Sequence, residues 1–260
     1  MKTRLFNILR SLSFFLMVLS LFCATQAAEV SVDVRPSLVV AYHVSPANRP
    51  AFRHELETSG LRQLERWKSE GILHSYRILF SHYADSDNWD AMALLAFPSE
   101  AGAERWKSIE RTTPAGLPSK ALALVKAIHT TPVTLARSTS AMDATTNSVF
   151  MVIPYITMVS VGDYLKYADG YMNPQFDGMI EESVMSHYDL FLSTFPTGRP
   201  WSSLVILEYK DQESLSLRGS AEAKVRGRLK DVPEWKAFSD IKKSIREEKQ
   251  IVLAEQLSQH

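Results

Sequence analysis

The feature that most constrains this 260-residue chain is that it contains itself twice. A shift of 112 residues lays Leu38-Val39-Val40-Ala41-Tyr42-His43-Val44 on Phe150-Met151-Val152-Ile153-Pro154-Tyr155-Ile156. The same shift puts Tyr76 on Tyr188, Ile78-Leu79-Phe80-Ser81 on Leu190-Phe191-Leu192-Ser193, and Trp89 on Trp201. It ends with Leu94-Leu95-Ala96-Phe97 on Ile206-Leu207-Glu208-Tyr209. Apolar positions fall on apolar positions over about sixty residues without a gap, which is the mark of an internal repeat. The tails align after about six extra residues in the second copy, Leu135-Ala136 against Leu253-Ala254.

Each copy carries the same order of signals. A β-branched and aromatic run, Leu38–Val44 or Phe150–Ile156, reads as a strand. A helical segment follows from Pro50 to Glu70, with Phe52, Leu56, Leu61, Leu64 and Trp67 at helical spacing. Two strands come next, Ile72–Tyr83 and Trp89–Phe97, joined by a short polar turn. Helical stretches at Glu100–Arg111 and Ser119–Ala127 precede a last strand, Pro132–Ala136; the second copy matches with Ser214–Ile245 and Ile251–Ala254. The order β-α-β-β-α-β is the ferredoxin-like unit. Repeat 1 spans residues 38–138, repeat 2 spans 149–255, and the small polar stretch 139–148 reads as a linker.

The N-terminus reads as a secretory signal, residues 1–27. Lys2, Arg4 and Arg10 precede the apolar run Leu12 to Cys23, and Ala24-Thr-Gln-Ala27 supplies small residues for cleavage. That run is shorter than the roughly 20 residues needed to span a bilayer. A periplasmic or secreted protein is expected, with no integral membrane association after cleavage. Removal of the signal leaves 26 Lys+Arg against 29 Asp+Glu, a balance that does not favour nucleic acid. It also removes Cys23, the only cysteine, so disulfides, thiol catalysis and Cys-ligated zinc are excluded.

A lone ferredoxin-like sheet leaves one face bare, and two on one chain can cover each other. The duplicated βαββαβ pattern therefore resembles the dimeric α+β barrel superfamily, an α+β class in which two such units pack sheet to sheet. The stretch from Glu234-Trp-Lys-Ala-Phe through Arg246-Glu-Glu-Lys-Gln-Ile-Val-Leu-Ala-Glu also resembles uncharacterised exported bacterial proteins of that type. The superfamily resemblance implies a fold, with activities ranging from antibiotic-biosynthesis and haem-degrading monooxygenases to chlorite dismutase relatives. The Asn, Trp and His set of the haem-degrading members does not map onto this chain.

Strand alternation selects candidate ligand-binding residues. Leu73, Ser75, Arg77, Leu79 and Ser81 share one face of the second strand; Met185, His187, Asp189, Phe191 and Ser193 share the matching face in the other copy. Arg77 in one copy thus corresponds to Asp189 in the other, opposite charges able to pair or to hold a polar ligand. His187 and Glu208 are expected on the same wall, with His43 and Tyr155 as equivalents on the first strands. No phosphate loop, nucleophile elbow, dinucleotide fingerprint or metal-ligand spacing is present. The expectation is a monomer that takes a small, partly apolar molecule between its sheets, with no cofactor and no metal. A cofactor-independent or haem-dependent monooxygenase-like enzyme, and a structural or protein-interaction module, are the alternatives. Nothing in the sequence decides whether the chain is an enzyme.

Overall fold

The computed structural model describes residues 35–139 and 147–258. The signal segment and most of the linker lie outside the described residues.

The first half begins with β1 (Ser37–Val44), whose β-branched residues suit a strand. Helix α1 (Arg49–Glu55) opens with Pro50 in its first turn and continues through a wider π-helical turn (Leu56–Gly60) into α2 (Leu61–Ser69). Phe52, Leu56, Leu61, Leu64 and Trp67 are all buried, as their spacing predicts. Gly71, with φ of 66°, ends the helix in the left-handed region and releases the chain into β2 (Ser75–Ser81). Strand β3 (Ala91–Ala96) returns antiparallel to it. Helix α3 (Glu100–Glu110) is capped by Ser99, whose hydroxyl accepts from Gly102 N, and is followed by the short α4 (Ser119–Leu122).

The expected helix Ser119–Ala127 stops early. Val125 already belongs to β4 (Val125–Ser138), which is far longer than the expected Pro132–Ala136. Ala121-Leu-Ala-Leu-Val-Lys-Ala127 is good helix sequence, but pairing of Val125 and Ala127 with Val44 and His43 overrides that preference.

The second half runs β5 (Val149–Thr157), α5 (Val161–Tyr167), a π-helical turn (Ala168–Met172), α6 (Asn173–Glu181), β6 (Met185–Ser193) and β7 (Ser203–Tyr209). Three helices follow, α7 (Gln212–Ser216), α8 (Arg218–Leu229) and α9 (Pro233–Ile245). The chain ends in the three-residue β8 (Arg246–Glu248) and β9 (Val252–Gln256).

Eight strands form a closed antiparallel barrel in the order β7-β6-β4-β1-β3-β2-β9-β5, with β5 pairing back to β7; β8 adds to β5 alone. Two ladders, β4–β6 and β2–β9, join the halves. The sheets are therefore not two separate layers stacked across a gap but one hydrogen-bonded ring. Inside it, Leu79, Phe150, Phe191, Leu204 and Ile206 pack with Trp89 and Trp201 at one end. Outside, each half has its own helix-covered core, one around Phe52, Trp67 and Trp106, the other around Tyr164, Tyr167 and Trp235. Burying each such side chain contributes about 1.5–3 kcal/mol.

The strand registers correct the gapless alignment. Arg77 pairs with Leu94 and Asp189 with Ile206, so the shift of 112 holds for the second and third strands of each half. In the first strands Tyr42 pairs with Ala91 and Tyr155 with Ser203. Tyr155 is thus the counterpart of Tyr42, not of His43. The cause is the connection to the helix, four residues (45–48) in the first half and three (158–160) in the second. In the last strands Val133, facing Ser37, corresponds to Ala254, facing Phe150, so the tail alignment also moves by three residues.

Candidate functional site at one end of the barrel

The inner wall of β2 points Leu79 into the barrel core and Arg77, two residues earlier, toward the barrel's end. The matching wall of β6 does the same with Phe191, Asp189 and His187. Arg77 and Asp189 meet there, Nη1 to Oδ2 at 3.6 Å, with both side chains largely buried. His187 Nε2 lies 2.9 Å from Asp189 Oδ1, and Ser138 donates its hydroxyl to the same oxygen at 2.8 Å. Thr139 Oγ1 stands 3.0 Å from His187 Nδ1 and also accepts the backbone N–H of Tyr188.

These contacts fix the protonation pattern. Burial pushes the Asp189 carboxyl up, but the hydrogen bond and charge of His187, the charge of Arg77 and the Ser138 hydroxyl outweigh it, leaving the carboxyl below its ordinary value. An ionised carboxylate only accepts, so His187 donates to it from Nε2, while Thr139 Oγ1 stands against Nδ1. The imidazole is held at both nitrogens.

This group opens into a cleft of about 560 Å³. Its polar lining includes Arg35, His74, Ser75 and Tyr76, and its apolar walls are Leu38, Leu94, Leu135 and Phe191. Of the expected residues, the structure brings Arg77, His187 and Asp189 together here. Glu208 faces His187 across the β6–β7 ladder but is 2% exposed, accepts from Ser148 Oγ at 2.9 Å, and does not line the cleft.

The other two are elsewhere. His43 lies in a second cleft of about 360 Å³ among Trp89, Trp201, Met92 and His129. Its ring is 5.0 Å from that of His129, and its pKa is lowered, first by burial and then by the neighbouring His129 charge. Tyr155 faces the helices, 2% exposed, beneath the Arg246 guanidinium at 3.9 Å, with its hydroxyl donating to Glu248. One residue of register turns a strand's side chains to the opposite face, which is why the expected His43–Tyr155 equivalence fails. Ser138 and Thr139 were hidden in the other direction. They stand where the first repeat meets the small polar linker, yet they hold the two central groups of the site.

The sequence matches no protein-family model and no curated protein. Among solved structures, a candidate monooxygenase from Lactobacillus acidophilus NCFM is 10% identical, with a TM-score of 0.54 over 86% of this chain and 95% of that one. A candidate monooxygenase from Fusobacterium nucleatum subsp. nucleatum is 13% identical, with a TM-score of 0.54 over 87% and 94%. An anthrone oxidase-like protein is 8% identical, with a TM-score of 0.55 over 86% and 92%. With its closed antiparallel ring and its helices outside, the chain has the dimeric α+β barrel fold.

Proposed function

We propose that this is an exported protein, periplasmic or secreted, built from two fused ferredoxin-like units, and that it binds a small, partly apolar molecule at the Arg77–Asp189 end of its barrel. The observation that carries the binding reading is the juxtaposition of a buried ion pair and histidine with an open cleft of about 560 Å³ walled by leucines and Phe191. Concave sites with apolar walls and a few convergent polar groups are where small ligands bind. The barrel's middle is occupied by its own side chains, so the ligand sits at the mouth and not between the sheets. Support for duplication comes from the strand ladders, which recur half by half, and from the π-helical turns at Leu56–Gly60 and Ala168–Met172. Support for export is the N-terminal sequence pattern alone.

The test is native mass spectrometry of the chain from Ala28 onward, purified from the periplasm, with Ser75→Trp as a variant that obstructs the cleft. Extra mass on the native chain and none on the variant is the expected result. Equal occupancy of both would move the ligand elsewhere; bare monomer mass together with no thermal shift across a small-molecule panel would overturn binding.

A monooxygenase-like activity is the second reading, favoured by the His187–Asp189 couple beside the cleft and by the names of two structures of similar fold. His187 would then act once Thr139 yields Nδ1 to a substrate proton. A haem-dependent form fits poorly, because the cleft's inner histidine has neither nitrogen free for iron. Oxygen uptake with phenolic substrates, lost in His187→Ala and Asp189→Ala, would establish this reading; uptake unchanged in both would remove these residues from it.

A further inference from the structure

Resting on the binding reading, we infer that the molecule taken at this end of the barrel is a carboxylic acid, its carboxylate held by Arg77 and its apolar body by Leu94, Leu135 and Phe191. Among the described residues that line the cleft, Arg77 carries a buried donor with no hydrogen-bond acceptor. Asp189 Oδ1 already accepts two hydrogen bonds, from Ser138 and His187. Its other oxygen lies 3.6 Å from Arg77 Nη1, an attraction of charges but too long for a hydrogen bond. Nη1 is shielded from solvent and has no hydrogen-bond partner among the described residues. The guanidinium otherwise rests on the face of Phe150, 5.3 Å from the ring centre, which orients it without satisfying a single N–H.

A buried donor left without an acceptor is costly, and a guanidinium presents its donors as a planar fork that matches two oxygens of one anion. Among the described residues that line the cleft, Asp189 is the one carboxylate, and Ser138 and His187 already engage its Oδ1. The apolar walls ask for a hydrocarbon body beside the anion, which separates a carboxylic acid from inorganic phosphate or sulfate. His187, held at both nitrogens, keeps Asp189 in place beside Nη1 and leaves the other donors of the Arg77 guanidinium to the ligand.

The experiment is calorimetric titration of the chain from Ala28 with benzoate, 3-phenylpropanoate and decanoate, each beside its primary amide, which keeps shape and loses charge. The expected result is that at least one acid binds tenfold or more tightly than its amide. In Arg77→Gln that preference disappears, and Arg77→Lys keeps part of it. An acid and amide of equal affinity, both blocked by Ser75→Trp, would overturn the carboxylate and leave the binding site standing. A preference that survives Arg77→Gln would overturn the role of Arg77. Binding of no member would overturn both this inference and the reading it rests on. The acid–amide comparison in the unmodified chain decides the matter even where a variant does not fold.

Discussion

Tyr42 and Tyr155 hold equivalent places in the two halves of the barrel, one opposite Ala91 and the other opposite Ser203, and both turn their rings outward beneath the helices. Tyr42 donates its hydroxyl to the Ala115 carbonyl at 2.8 Å, whereas Tyr155 lies under Arg246. Tyr155 is therefore part of the outer core. Arg246→Gln should cost about 1–2 kcal/mol through the lost cation–π contact, read from urea unfolding, while Tyr155→Phe should leave ligand binding at the Arg77 cleft unchanged. A loss of binding in Tyr155→Phe would put the tyrosine back on the inner wall.

Asp189→Asn should destabilise the protein by about 3 kcal/mol at neutral pH, since it leaves the largely buried Arg77 guanidinium without its counter-charge. The folded carboxyl lies below its ordinary value, so its stabilisation is present above an unfolded pKa of about 3.9 and fades as pH falls through the folded one. Urea midpoints of the two proteins should converge below about pH 4. A constant gap down to pH 3 would show that the charge of Asp189 is not what stabilises the site.

His43 titrates in the second cleft with a lowered pKa, first because burial disfavours the cation and second because His129 faces it. Its folded value is below the unfolded one, so its contribution to stability is complete above about pH 6.5 and declines as pH falls. An NMR titration should place the midpoint below 6.5, and His129→Ala should move it partway back. No movement in that variant would leave burial as the whole cause.

Ser183 occupies the left-handed region at φ of 61°, where the equivalent position of the first half carries Gly71 at φ of 66°. A side chain there is strained, so Ser183→Gly should stabilise the protein by up to about 1 kcal/mol, and Gly71→Ala should cost a similar amount. Chemical denaturation of the two variants gives the comparison directly.

Gly178 of α6 lets α8 come close: an added Cβ would lie 2.6 Å from Val225 Cγ1. Alanine in a helix ordinarily gains about 0.5–1 kcal/mol over glycine, but here overpacking should reverse the sign and cost about 1–3 kcal/mol. Val225→Ala should recover much of the loss in the double variant, a coupling that a double-mutant cycle measures. Additive effects would mean that the helices move apart freely.

The sequence shows the architecture well because alternation and spacing are carried by many residues at once. The inner wall of Arg77, Leu79, Asp189 and Phe191 was readable from β2 and β6 alone, and so was the meeting of the charges. A single-residue shortening between β5 and α5 was not readable, because the first strands share too few identities to reveal a slip of one. That slip displaced Tyr155 from the site. His43 failed for a different reason: its face was right, but it lies toward the far end of β1, beyond the packed middle. Ser138 and Thr139 carry no signal except being small and polar, which suits a linker as well as a binding wall.

The ring closes through partners far apart in the sequence. Phe80 finds Glu255 about 175 residues later, and until β9 arrives β2 has an open edge. The first half alone therefore leaves β2 without its β9 partner. Because β9 bridges β2 and β5, the barrel should gain and lose its structure in one step, and a variant lacking Val252–Gln256 should expose sticky strand edges on β2 and β5.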